Sequence, residues 1–531
     1  MLKVNEKRDQ LLESLIENPP DLIIAGGGVT GAGIAREAAI AGLRVLLVDM
    51  MDFGWGSSSS SSKLVHGGLR YLKSGQVGVT YRSVKEREAL MNELPGLIRP
   101  LDFILPLYSI KDKLLYKFAL LVYDLFAGKK YHKFVSTQEM KTSFSGIDDQ
   151  NLMGGYVYYD AQTDDMRLVI RILNDAESSG AHILNYAKVV KPVLLNDTIS
   201  SVIIKDQVSN REFEIPCKTL INATGAATDF LRNQLGQEKL IRPLRGSHLV
   251  FSRERLPITK ALGFVHPDDR RNVFVLPWNP PLLERKSNLE KESLTGVTVV
   301  GTTDLDHDQS NDKLPVISKQ ERQYLLKAVN TMFPKAALTE ADIISTWSGI
   351  RPVVSSGAKD PSKESRDMYI QFEKGLLTVT GGKLTTFRNE ALHALSELSD
   401  LFPSLKNIKP NQFTIVDTQT DKVSNDEKNF IAAAYGKAAK KLIEFIQTSE
   451  PLHFEGTTVL KAAARFALRN EWVVHLDDLM IRRLRLGLLL PNGAKSVLSE
   501  IKQFCIEAGW SEKYYLEEED RYLQMIQDCY S

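Results

Sequence analysis

Three glycines, a carboxylate and a run of serines, all within residues 22–71, are the groups best placed to do chemistry in this 531-residue chain. Gly26, Gly28 and Gly31 have the spacing G-x-G-x-x-G. In that pattern the first glycine permits a tight turn, the second lets backbone approach a pyrophosphate, and the third lets a helix close onto a strand. A helix opening there turns unpaired N–H groups and the positive end of its dipole toward phosphate. Asp49 stands about twenty residues further on, where an acceptor for a ribose hydroxyl is needed. Ser57 to Ser62 then lead into Lys63-Leu64-Val65-His66-Gly67-Gly68-Leu69-Arg70-Tyr71. Six serines alone read as a flexible linker, but a linker does not usually run straight into so dense a segment.

The elements that must position these groups follow from hydrophobic pattern. Leu22–Ala25 reads as a strand, the next stretch to about Ala41 as a helix, and Leu43–Val48 as a second strand. Strand, helix, strand and terminal carboxylate together predict a βαβ dinucleotide unit. Residues 76–98 read as a helix with a charged face of Arg82, Lys85, Glu86, Arg87 and Glu88. Gly154–Asp160 reads as a strand, after which Asp165 is placed to cap a helix. Strands alternate with turns from 182 to 222 and end in Asn222-Ala223-Thr224-Gly225. His248 falls within Arg245-Gly246-Ser247-His248-Leu249-Val250; a single histidine on a strand is more often structural. Val273–Trp278 and Val297–Asp304 read as hairpin partners, separated by an exposed insertion, Asn279–Gly296. Leu377–Arg388 reads as a strand, a glycine turn at Gly381 and Gly382, and a helix.

With 43% hydrophobic residues the chain is long enough for two or three domains. Its net charge of +1 gives no sign of nucleic-acid binding, and Cys217, Cys505 and Cys529 lie too far apart for a metal-binding or redox pair. Residues 1–20 read as a polar extension in which Leu11, Leu12, Leu15 and Ile16 form one amphipathic helix, without the apolar core of a signal peptide. Leu114–Ala127 is the most apolar segment, yet Lys117 and Asp124 interrupt it. It reads as a buried or interfacial helix on a chain that does not span a membrane.

The segment from Ser57 to Leu72 resembles that of FAD-dependent glycerol-3-phosphate dehydrogenases of the aerobic, respiratory type. The resemblance extends to Gly246-Ser247-His248-Leu249-Val250, Gly301-Thr302-Thr303-Asp304, Ser348-Gly349-Ile350-Arg351-Pro352, Ser365-Arg366-Asp367 and Gly381-Gly382-Lys383-Leu384-Thr385. A last match covers Glu471-Trp472, Asp477-Asp478 and Arg482-Arg483. Ala226-Ala227 stand where the family has Pro-Trp. The resemblance implies a mixed α/β fold: a two-dinucleotide-binding-type FAD domain, an antiparallel-sheet substrate domain and a C-terminal helical cap. In residues, that is an extension at 1–20 and an oxidoreductase region at about 21–400. The FAD segments are about 21–95, 150–235 and 340–400, interleaved with substrate segments at about 96–149 and 236–339; the helical domain is about 405–531.

The same resemblance implies non-covalent FAD, held by Gly26, Gly28, Gly31 and Asp49, by Ser57, Ser58, Ser62, Lys63 and Leu64, and by Gly225, Gly381, Gly382, Leu384 and Thr385. It implies glycerol 3-phosphate as substrate, with Arg351 and Arg366 on the phosphate and Tyr71 and Thr303 beside it. Arg70 and Lys383 then face the glycerol hydroxyls and the flavin. For the hydroxyl proton His66 is the first choice and His248 the second; water remains an alternative acceptor. A quinone is the implied electron acceptor, and the implied location is peripheral, on the cytoplasmic face of the membrane; a homodimer is left open. An oxidase passing electrons to O₂ shares nearly all these motifs. An amine or amino-acid oxidase, which would bind a carboxylate, a flavin-dependent modifying or electron-relay protein without a small-molecule substrate, and a non-catalytic FAD-binding scaffold are the remaining readings.

Overall fold

The computed structural model describes residues 2–73, 75–280, 296–308, 313–357, 364, 367–449 and 451–531; the side chains of residues 2–5, 70 and 73 lie outside that description. The chain opens with α1 (Leu2–Glu17), β1 (Leu22–Ala25), α2 (Val29–Ile40) and β2 (Val45–Val48). β1 is the centre of a six-stranded sheet because both its faces are buried and both its edges are paired. It runs parallel to β2 on one side and to Thr219–Asn222 on the other, with Ala25 opposite Val48 and Asn222. Leu376–Thr380 joins beyond Thr219–Asn222, and Tyr369–Glu373 closes that edge antiparallel. The strand ending in Asn222 thus returns beside the first glycine turn.

A three-stranded antiparallel sheet, Ala187–Leu195, Thr198–Asp206 and Arg211–Pro216, packs over the first. α1 docks on it, burying Leu12 and Leu15 in the shared core. The polar extension is therefore part of the fold. Arg8 is buried there, donating to the Asp206 carboxylate at 2.8 Å and to the Asn185 carbonyl at 2.6 Å.

The chain continues through β3 (Leu64–Val65), α3 (Leu69–Lys73), α4 (Val77–Glu93), β4 (Ile98–Pro106) and α5 (Ile110–Ala127). β3 and β4 belong to a ten-stranded, mainly antiparallel sheet. Its long strands are Ile241–Ser252 and Ile343–Val354, which pair with Arg351 opposite Leu244. Asn272–Trp278 and Val297–Gly301 pair as the expected hairpin; most of the insertion between them, 281–295, lies outside the described residues.

Two sequence expectations change, and a third is refined. On α4, Arg82 and Lys85 are exposed, but Glu86 and Arg87 are buried and bonded, so the helix has no continuous charged face. The cap of the helix Asp165–Ser178 is Asp164, which accepts from the Met166 and Arg167 amides. Asp165 instead points into a buried ionic cluster. On α5 the apolar residues are split between core and solvent, with Leu120 and Tyr123 buried and Phe118 and Leu125 more than two-thirds exposed. Ser109 caps its start, and Gly128, at φ 71°, ends it.

From Asn425 the chain is helical, and buried charges attach it to the first sheet. Arg482 and Arg483 both donate to the buried Asp52 carboxylate, at 2.6 and 2.8 Å, and Asn185 adds a bond at 3.1 Å. Burial alone would raise the Asp52 pKa, but the guanidiniums of Arg483 and Arg482 hold it below the ordinary carboxylate value. Removing one partner of such a cluster strands the others. Asp52→Asn is therefore expected to cost about 3–5 kcal/mol of stability, read in urea unfolding. Asp9→Asn, which breaks the exposed pair with Arg211, should cost under about 1 kcal/mol. Because the Asp52 pKa is depressed on folding, its contribution is present above the ordinary value of 3.8 and is lost as pH falls below it, so Asp52→Asn should flatten the acid limb.

Candidate active site

A cleft of about 1400 Å³ runs between the six-stranded and ten-stranded sheets. At one end the chain turns from β1 into α2. Gly26 has φ 108°, and a Cβ on it would stand 2.4 Å from the Ala223 carbonyl oxygen. A Cβ on Gly31 would stand 1.9 Å from the Gly26 carbonyl oxygen, so Gly31 is where helix and turn touch. Gly28 caps α2 and lines the cleft; its Cβ would crowd Ser58 Oγ at 3.1 Å. The same Oγ accepts from the Val29 amide at 3.0 Å, tying the serine loop to the helix N-terminus.

Asp49, at the end of β2, accepts from the Gly27 amide at 2.6 Å and the Met51 amide at 2.9 Å. These bonds fix the carboxylate at the cleft wall. Burial, opposed by both amides, raises its pKa to about 7.

Ser57, Ser58 and Ser62 all line the cleft. Ser57 donates to the Ile350 carbonyl, which brings the loop across the strand that carries Arg351. Lys63 does not reach the cleft. Its ammonium is buried against Asp165, at 2.9 Å, and the Ser59 carbonyl, and burial lowers its pKa to about 8 despite that partner. Asp165 also accepts from the Ser61 amide and hydroxyl and from Arg485. Lys63 thus shapes the serine loop from behind. Leu64 does line the cleft, as do Gly225, Gly381, Gly382, Leu384 and Thr385.

Two groups of polar side chains meet the remaining space. In one, His66 is joined to the glycine turn through Thr385, whose Oγ1 accepts from the His66 amide at 3.0 Å and donates to its carbonyl at 3.2 Å. Lys383 Nζ lies 3.9 Å above the ring of Tyr71. In the other, His248 stacks on Trp347 at 5.2 Å and its Nε2 meets Ser62 Oγ at 2.9 Å. Burial, with the positive charges of Arg351 and Lys63, pushes His248 well below its ordinary pKa, so its ring is neutral. Arg351 lines the cleft and donates to Asp304 at 2.8 Å and to Thr302 Oγ1 at 3.1 Å. Gly246 leaves it room, since a Cβ there would meet the guanidinium at 2.6 Å.

Thr303 is turned away: its hydroxyl donates to the buried Glu321 and accepts from the Ser247 amide. Its neighbour Thr302 faces the cleft. The Arg70 side chain and all of Arg366 lie outside the described residues. The sequence reading missed Asp160, which holds the His66–Gly67–Gly68 turn. It accepts from the Gly67 amide at 2.8 Å, from Arg87 at 2.6 Å and from Tyr123 Oη at 2.6 Å. A lone carboxylate ending the apolar, tyrosine-rich strand reading Tyr156–Asp160 was the available signal.

The turn that excludes side chains, the helix N-terminus above it and the fixed carboxylate form a cradle suited to a dinucleotide. Residues 21–388 match the family model described as FAD dependent oxidoreductase, and residues 382–515 match the C-terminal domain of alpha-glycerophosphate oxidase. An aerobic glycerol-3-phosphate dehydrogenase of Staphylococcus saprophyticus is 31% identical over 510 residues, covering 90% of this chain and 88% of that protein. One from Staphylococcus epidermidis is 33% identical over 516 residues with the same coverage. The crystal structure of the glycerol-3-phosphate dehydrogenase from Bacillus halodurans complexed with FAD aligns over 99% of this chain and 98% of that one, at TM-score 0.74 and 24% identity. The reduced L-alpha-glycerophosphate oxidase from Mycoplasma pneumoniae aligns over 74% of this chain and 97% of its own, at TM-score 0.55 and 17% identity. By sequence as well as by cradle, the chain belongs to the FAD-dependent oxidoreductase family, in its glycerol-3-phosphate dehydrogenase branch.

Proposed function

We propose that the protein oxidises sn-glycerol 3-phosphate to dihydroxyacetone phosphate and passes the electrons to a membrane quinone. The observation that carries the reading is the concentration of Lys383, Arg351, His66 and His248 in the cleft that the glycine turn opens. It is supported by relatives named for this dehydrogenase activity that match 90% of the chain. When bound, FAD supplies the acceptor for the two electrons and the hydrogen leaving carbon. The protein's own tasks are to hold a dianionic phosphate, orient the secondary hydroxyl and remove its proton. Arg351, and by family resemblance Arg366, hold the phosphate; the Asp304 partner fixes the guanidinium plane. Lys383, leaning on Tyr71, and Arg70 stabilise the developing alkoxide. His66 takes the proton. A buried, stacked imidazole whose pKa is already far below neutral is a weak proton acceptor, which argues against His248 in that role. His248 orients the substrate through the polar edge it shares with Ser62.

The quinone reading rests on α5. Ile110, Leu114, Phe118, Leu121 and Leu125 recur at intervals of three and four residues, forming one exposed stripe, with Leu115 beside it. Lys111, Lys113 and Lys117 flank the stripe, and Lys129 and Lys130 follow its end. An apolar helical face bordered by lysines fits the headgroup region of an anionic bilayer. No described helix is long and apolar enough to cross a membrane.

Two outcomes are expected. Arg351→Ala should raise KM for glycerol 3-phosphate about ten- to a hundredfold with little change in kcat, because a charge-assisted bond to phosphate contributes about 1.5–3 kcal/mol. It should also erase the preference over glycerol, whereas Lys383→Ala should lower kcat. If the Arg351 variant instead loses flavin and thermal stability while the surviving enzyme keeps its KM, the arginine is structural. The double variant Phe118→Asp/Leu125→Asp should lower binding to anionic vesicles about a hundredfold or more, at about 1.5–3 kcal/mol per apolar side chain. It should keep activity with a soluble dye and lose activity with quinone in vesicles. Unchanged sedimentation, or wild-type O₂ uptake that matches quinone reduction, would favour the oxidase.

A further inference from the structure

Glu390 lies on the helix Phe387–Ser396 that the glycine turn opens, and it is 93% buried. One carboxyl oxygen accepts from the Lys383 amide at 3.0 Å and from the Thr386 hydroxyl. The other, Oε2, is buried with no hydrogen-bond partner among the described residues. It fills the space behind Gly382: a Cβ there would stand 2.1 Å from it. Gly381, Gly382 and Lys383 form the cleft wall on their other side. The carboxyl group is thus separated from the cofactor cleft by one turn of backbone.

A buried carboxylate with an unbonded oxygen is costly, and the neutral acid is less so. The charged groups around it do not cancel that cost. Lys383 opposes it from the turn, while Glu86 on α4 adds like charge. Arg388, on the same helix, is already committed to Glu86 and Glu93, at 2.9 and 2.7 Å. Arg36 and Glu37 on α2, which packs against this helix, face Asp175 and Asn411 instead. Burial, against the opposing bonds from Thr386 and Lys383, raises the Glu390 pKa to about 7.

We propose that Glu390 is a redox-linked proton site: it takes up a proton from solvent when the cofactor in the adjoining cleft is reduced, and releases it on reoxidation. The balance is as follows. Oxidising a secondary alcohol to a ketone yields two electrons and two protons. Two electrons and one proton, moved together as hydride, reduce the flavin and leave it with one added negative charge. The second proton leaves the hydroxyl. The new charge, felt across low-dielectric backbone, raises the proton affinity of Glu390, which then binds one proton and no electrons. By linkage, the proton on Glu390 makes reduction more favourable by the same factor. Glu390 acts on the potential through position and does not touch substrate. The inference requires FAD in the cleft and is independent of which substrate reduces it.

The test is the pH dependence of the flavin midpoint potential, from about pH 5 to about pH 9, in the holoenzyme and in Glu390→Gln, using redox mediators without substrate. Below about 7 Glu390 is protonated in both redox states and contributes nothing to the slope; between that value and its raised value beside reduced flavin the wild type should take two protons per electron pair, and one again above the raised value. Glu390→Gln should take one throughout that upper range. A titration of the flavin's own ring would add its second proton at the acid end and would persist in the variant. A wild-type slope with no two-proton segment beginning near pH 7, or the same segment retained in Glu390→Gln, overturns the proposal. Should the variant fail to hold FAD, infrared difference spectra of the wild type labelled with carboxyl-¹³C glutamate decide. One protonated glutamic acid should appear per flavin reduced above pH 7, and its absence overturns the proposal.

Discussion

Loops that line a cleft for two anionic molecules need more than pairing with the flanking sheets to hold them in one place. Here that constraint is met by buried carboxylates, each bound to groups distant in sequence. Asp52 binds Arg482 and Arg483 and so fastens the C-terminal helices to the loop after β2. Asp165 binds Lys63, Ser61 and Arg485 and sets the serine loop. Asp160 binds Arg87, Tyr123 and the Gly67 amide and sets the His66 turn. Pairs this deeply buried give little net stability relative to well-packed apolar groups, because desolvation offsets attraction. Their effect is on uniqueness: one arrangement satisfies every charge, and alternatives strand one.

That arrangement also distributes charge in the cleft. Lys63 and Arg485 pair with Asp165 behind the serine loop, and the Lys63 charge still acts on His248 in the cleft. Arg351, held by Asp304 and Thr302, keeps a fixed orientation at the wall. His248 is neutral because burial and two nearby cations make protonation unfavourable. The histidines therefore differ in environment although both were proton-acceptor candidates by residue type. The carboxyl groups of Asp49, on the cleft wall, and of Glu390, behind it, are both lifted to about 7 by burial.

Much of the fold was legible in the sequence because its signals are local. The βαβ unit, the hairpin at Val273–Trp278 and the glycine turn at Gly381 rest on strand periodicity and on glycines that nothing larger can replace. Readings that depended on distant partners were less secure. Arg87 reads as surface charge until Asp160, 73 residues away, is brought beside it. Arg485, 320 residues from Asp165, carries no local mark of its role. α1 looks like a polar tail because the sheet that buries Leu12 and Leu15 forms some two hundred residues later. Thr303 turns to Glu321 and the Ser247 amide while Thr302 lines the cleft, and the sequence does not say which of two adjacent threonines faces it. Asp165 was misread by one position for a similar reason: two adjacent aspartates fit a helix start equally well, and only Lys63 and Arg485 distinguish them.

The central claim is that this cleft oxidises a phosphorylated secondary alcohol using FAD, and an anaerobic titration tests it most directly. Glycerol 3-phosphate, glycerol and glycine are each added to flavin-loaded protein without O₂, and the flavin absorbance is followed. Bleaching by glycerol 3-phosphate at about one equivalent per flavin, with neither glycerol nor glycine effective at the same concentration, is the predicted result. Absorbance that glycerol 3-phosphate leaves unchanged, or that glycine bleaches instead, would contradict it.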